Sequence, residues 1–65
     1  MTKSQRQHVL VRLLGRGDAT NQAQLVDLLA IEGITATQGM VSRDLEDLGA
    51  VKVRVPSGDS VYAIP

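Results

Sequence analysis

The hydrophobic period of this chain changes once, at Gly49, and that change limits the folds open to it. Upstream, apolar residues recur every three to four positions; downstream, Val51, Val53 and Val55 alternate with Lys52 and Arg54. A period near 3.6 marks amphipathic helices and a period of about 2 marks a half-buried strand. Sixty-five residues are too few for a helical and a sheet domain side by side, so both must share one small core. The expected class is therefore α+β, with residues 1–65 as one domain.

The chain has no cysteine and a single histidine, His8, so disulfides, thiolate zinc sites and multi-histidine clusters are excluded. No nucleophile–base pair can be assembled, and the chain is read as a non-enzyme without a metal site or a cofactor of its own. Aliphatic packing must stabilise it, since Tyr62 is the only aromatic. No stretch approaches the roughly 20 apolar residues of a membrane span. The start, Met1 to Arg6, is polar and lacks the apolar segment of a signal peptide, so a soluble, cytoplasmic protein without membrane partners is expected.

Val9, Leu10, Leu13 and Leu14 predict a first helix from about Ser4, its expected N-cap, to Leu14. The connector Arg16-Gly-Asp-Ala-Thr20 follows, and its Arg-Gly-Asp tripeptide is read as a plain turn. Asn21, with Gln24 three residues on, opens a second helix whose apolar face is Leu25, Val26, Leu28, Leu29 and Ile31. Gly33 ends it, Ile34 is expected to plug the corner, and Thr37 caps a third helix running to Leu48. Pro56-Ser-Gly-Asp59 supplies a turn between two strands. A symmetric four-residue loop would pair Val53 with Tyr62 and Val51 with Ile64, placing Lys52 opposite Ala63 and Arg54 opposite Val61. The order helix, helix, helix, strand, strand is that of a winged helix-turn-helix, with the hairpin as wing.

The third helix has two chemistries. Val41, Leu45 and Leu48 form an inward stripe, whereas Gln38, Gly39, Ser42, Arg43, Glu46 and Asp47 lie outside it. Small residues allow close approach to a major groove, while Gln and Arg reach base edges and phosphates. The formal net charge is zero, yet Lys3, Arg6, Arg12 and Arg16 precede any acid, and Lys52 and Arg54 follow the acidic middle. Basic ends of this kind can still present one positive face, with modest non-specific affinity for DNA.

The DNA-contacting residues expected on these grounds are Gln22, Thr37, Gln38, Ser42, Arg43, Lys52 and Arg54. Arg43 offers a bidentate fork to guanine or phosphate, Ser42 a hydroxyl, and Gln38 an amide for adenine. Gln22 sits where a helix N-terminus can hold a phosphate, and Thr37 is primarily a cap. Lys52 and Arg54 would meet phosphates from the wing, and Lys3 and Arg6 would add backbone contacts if the first helix lies near the duplex. Asp44 borders the buried stripe and is expected to pair with Arg12 or Lys52, positioning the helix. His8 is expected at the surface without a special role.

The runs Thr37-Gln38, Val41-Ser42-Arg43-Asp44-Leu45 and Leu48-Gly49-Ala50-Val51-Lys52 resemble the arginine repressor family. Asn21-Gln22-Ala-Gln-Leu25 is similar to that family's opening of the second helix, and Val61-Tyr62-Ala63-Ile64-Pro65 to its actinobacterial members. Gly39-Met40 stands where the family usually has Ala-Thr, and Asn21 where serine is common. The resemblance implies the N-terminal domain of an arginine-responsive repressor that controls arginine metabolism genes by binding double-stranded, palindromic operator DNA. It also implies that L-arginine, the co-repressor, and homo-hexamer assembly belong to a C-terminal domain that these residues lack, leaving the isolated domain monomeric. Two alternatives remain open on the residues alone: the DNA-binding domain of another winged-helix repressor, such as the DeoR-like sugar regulators, and a winged-helix protein-interaction module.

Overall fold

The computed structural model describes residues 2–17 and 19–65; Met1 and Asp18, the last residue of the Arg-Gly-Asp tripeptide expected to form a turn, lie outside the described residues. The order is α1 (Lys3–Leu14), α2 (Gln22–Ile31), α3 (Gln38–Leu48), β1 (Val51–Arg54) and β2 (Ser60–Ala63), a winged helix-turn-helix.

Helix α1 begins earlier than its expected cap. Thr2, not Ser4, is the N-cap: its Oγ1 accepts from the Gln5 amide at 3.2 Å, and Gln5 Oε1 accepts from the Thr2 amide at 3.1 Å. That reciprocal pair satisfies two orphan donors at once. Ser4 has the same spacing to Gln7, but the Gln7 side chain is drawn away to Asp44 and Asp47 on α3. Asn21 caps α2 as expected, accepting from the Gln24 amide at 2.7 Å. Gln24 reaches back one residue further than a simple box requires, its Oε1 accepting from the Thr20 amide at 2.7 Å.

The turn between α2 and α3 closes with the Ile34 amide bonded to the Leu29 carbonyl at 2.8 Å. That bond turns Ile34 inward, and the side chain is buried at the corner as expected. The core is aliphatic: Leu10, Leu13, Leu14, Leu25, Leu29, Val41 and Leu45, with Ala19 and Ala36 from the connectors. Ile31 does not join it and is 79% exposed, which corrects the expected α2 face. The helix turns its inward stripe through Leu25 and Leu29, and its last turn leaves Ile31 beyond the core.

Helix α3 ends at Gly49, whose φ of 73° lies in the left-handed region. The Ala50 amide then bonds the Leu45 carbonyl at 2.9 Å, and the chain reverses directly into β1. The hairpin register departs from the symmetric expectation by one residue: Val51 pairs with Ala63, Lys52 with Tyr62, Val53 with Val61 and Arg54 with Ser60. The cause is the loop. The Val55 amide donates to the Asp59 carbonyl and the Gly58 amide to the Val55 carbonyl, both at 2.9 Å, with Gly58 at φ 95°. Only Pro56, Ser57 and Gly58 remain as a three-residue loop, the length in which a left-handed glycine completes the turn. Directly opposed side chains share a face, so the slip moves Tyr62 onto the face of Lys52 and leaves Val51 and Val53 with Val61 and Ala63.

Strand β2 is the inner strand. Its Tyr62 amide donates to the Ala19 carbonyl at 2.8 Å, stitching the wing to the connector between α1 and α2. Strand β1 is the outer edge, exposed along its whole length.

Candidate nucleic-acid interface

Helix α3 is built to expose its first turns. Thr37 caps it, its hydroxyl oxygen accepting from the Met40 amide at 3.1 Å. Gln38, Gly39 and Arg43 are exposed and Ser42 is half-buried. With residues spaced at about 100°, Gly39 and Arg43 fall on the side away from Val41, Asp44 and Leu45, which are buried, and Ser42 lies at the border. Gln38 lies in line with Leu45 and is exposed where the helix opens, which corrects its expected place on the outer side. Gln22 is half-buried at the first position of α2, where amides of the first turn have no intrahelical partner. Lys52 and Arg54 are exposed and share one face of β1. The ammonium of Lys52 lies 5.0 Å from the centroid of the Tyr62 ring, a pairing that the register slip creates.

The charges sort themselves into two groups. Three of the four early bases are neutralised within the fold: Lys3 pairs with Asp47 at 2.9 Å, Arg6 with Asp44, and Arg12 with Glu32. Arg43, Lys52 and Arg54 have no ion pair among the described residues. A formal net charge of zero therefore hides cations that are free on α3 and on the wing, where the sequence had placed its candidate contacts. Of the two α1 bases expected near a duplex, Arg6 is turned inward to Asp44 with its side chain 13% exposed, whereas Lys3 stays at the surface beside Asp47.

Asp44 is the buried polar residue of the core, 1% exposed, and its partner is Arg6 rather than Arg12 or Lys52. The Arg6 guanidinium donates to the carboxylate through both Nε and Nη2, the latter to Oδ1 at 3.0 Å, and Gln7 Nε2 donates to Oδ1 at 3.2 Å. The bonds from Arg6 hold the Asp44 carboxyl below the ordinary carboxylate range, against the upward push of burial and with help from the Gln7 amide. The same bond raises the guanidinium of Arg6 above its ordinary value. Thus α1 grips α3 by a bidentate clamp on the residue next to Arg43. Its partners lie 38 residues apart, and no local sequence signal joins them. The Lys52–Tyr62 pair did carry a signal: Gly58 before Asp59 marks a three-residue loop, and that loop sets the register.

Among the described residues no group of His, Cys, Asp or Glu could hold a metal ion, and no helix is long and apolar enough to cross a membrane. His8 is exposed at the surface.

The arrangement offers a short two-faced helix with a free arginine, a half-buried hydroxyl and an exposed amide in its first half. Beside it in the chain stands a strand that shows two cations. A family model described as arginine repressor, DNA binding domain, matches residues 1–65.

Proposed function

The chain belongs to the arginine repressor family as its DNA-binding domain, and from that premise we propose that residues 1–65 act as one domain reading a palindromic operator for an arginine-responsive repressor of arginine metabolism genes. The observation that carries the reading is the separation of charges: the bases of α1 face carboxylates, Arg6 at a buried pair and Lys3 and Arg12 at the surface, while Arg43, Lys52 and Arg54 have no ion pair among the described residues. Arg43 serves as the principal reader from the outer face of α3, with Ser42 at the border of that face and Gln38 at the exposed start of the helix. Thr37 contributes by fixing the helix start, and its hydroxyl, which accepts the cap bond, still has a proton to donate to a phosphate. Gln22 and the first-turn amides of α2 hold a phosphate, and Lys52 and Arg54 hold others from the wing.

The family match over the full length favours this reading over a sugar-regulator domain, and the free cations favour it over a protein-interaction module. L-arginine binding and hexamer formation are assigned to the other domain of the parent protein, so the isolated domain is expected to be monomeric and indifferent to L-arginine. The decisive test is Arg43→Ala, measured by fluorescence anisotropy on operator-like and scrambled duplexes. The expected result is loss of most of the preference, about 1–3 kcal/mol for a bidentate base contact. Unchanged discrimination would reject this face of α3 as the reading surface.

A further inference from the structure

Met40 stands apart on α3. It is 37% exposed, the one exposed large apolar side chain of that helix among the described residues. Its amide is anchored to Thr37 Oγ1 at 3.1 Å, so its place in the first turn is fixed by the cap. Gly39 beside it is unexplained by the fold. A Cβ built there would meet only Thr37 Oγ1, at 3.8 Å, an ordinary contact, and its backbone is helical with no positive φ. Glycine weakens a helix relative to alanine, so Gly39 adds nothing to the free domain, and Met40, though partly covered, leaves apolar surface in water.

Both make sense once a duplex arrives. The N-terminal residues of a recognition helix meet base edges, and the apolar feature on the major-groove edge is the C5-methyl of thymine. Methionine is flexible and polarizable and adapts to an irregular apolar gap. The missing Cβ at Gly39 removes the atom that would hold the groove away from this turn.

We propose that Met40 is a specificity-determining residue that packs on a thymine C5-methyl, with Gly39 permitting the approach. This rests on the DNA-binding reading above, and the test separates the two. Duplexes are enriched by the domain from a randomised library, and each thymine of the enriched site is replaced by uracil, which removes only the methyl. The wild-type domain is expected to lose about fourfold in affinity at one or more of these thymines, equivalent to about 0.8 kcal/mol for one buried methyl-sized group. Met40→Ala and Met40→Gln are expected to bind thymine and uracil equally at that position, while Met40→Leu keeps the difference. A methyl effect that persists in Met40→Ala and Met40→Gln, or an enriched site indifferent to uracil throughout, overturns the role of Met40 alone. Failure to enrich any duplex overturns the DNA-binding reading and this inference with it.

Discussion

Asp44 shows how one buried carboxylate can fix a helix whose adjacent residue, Arg43, is exposed and without an ion pair among the described residues. It lies on the inner side of α3 next to Arg43, held by both donors of Arg6 and by Gln7. Removing one partner of a buried pair strands the other charge, so Asp44→Asn is expected to cost about 3 kcal/mol in urea unfolding. The pH dependence has a defined sign. Because the folded carboxyl is held below its unfolded value of about 3.9, its stabilisation is present above that value. It is lost as pH falls from there through the folded pKa. Acid titration of stability by circular dichroism should therefore show wild type declining below about pH 4, with a shallower decline in Asp44→Asn. Equal slopes in both proteins would contradict the clamp.

At the scale of elements, the first turn of α3 combines a strong cap with a weak helix former. Thr37→Ala should destabilise the domain by about 1 kcal/mol, since the Met40 amide loses its acceptor. Gly39→Ala should stabilise it by roughly 0.5–1 kcal/mol, because the added Cβ meets only an ordinary contact with Thr37 Oγ1 at 3.8 Å. Thermal melts of the two variants should thus move in opposite directions, each by several degrees for a domain of this size. Elements defined by nearby residues were legible in the sequence. The three helices follow from apolar spacing, and the Asn21 and Thr37 caps from residues three apart. The wing was legible as a hairpin but not in register, since one residue of loop length decides which side chains oppose one another. Thr2 was missed because Ser4 offers the same capping spacing, and only the tertiary demand on Gln7 separates them.

For the molecule as a whole, the distribution of charge matters more than its sum, and here the sequence could be read only halfway. The basic ends were visible, but which bases are free depends on pairings such as Lys3–Asp47 and Arg12–Glu32 that bridge distant segments. With few free cations, affinity should fall with salt along a shallow log–log line, at a slope of about −0.9 per phosphate neutralised. Lys52→Ala should flatten that slope by about 1, uniformly across sequences, whereas Lys3→Ala should leave it unchanged. A salt slope insensitive to Lys52 would remove the wing from the interface.

The stitch from the Tyr62 amide to the Ala19 carbonyl also bears on how the domain assembles. It joins the last strand to a connector formed early in the chain, so its loop must close before it contributes. Helices built from local contacts form faster than such a closure. The wing should then be absent from the folding transition state. In stopped-flow measurements, truncation of the buried Val61 to alanine is expected to speed unfolding while leaving the refolding rate nearly unchanged. By this account the element that displays Lys52 and Arg54 is the last to arrive and the first to leave.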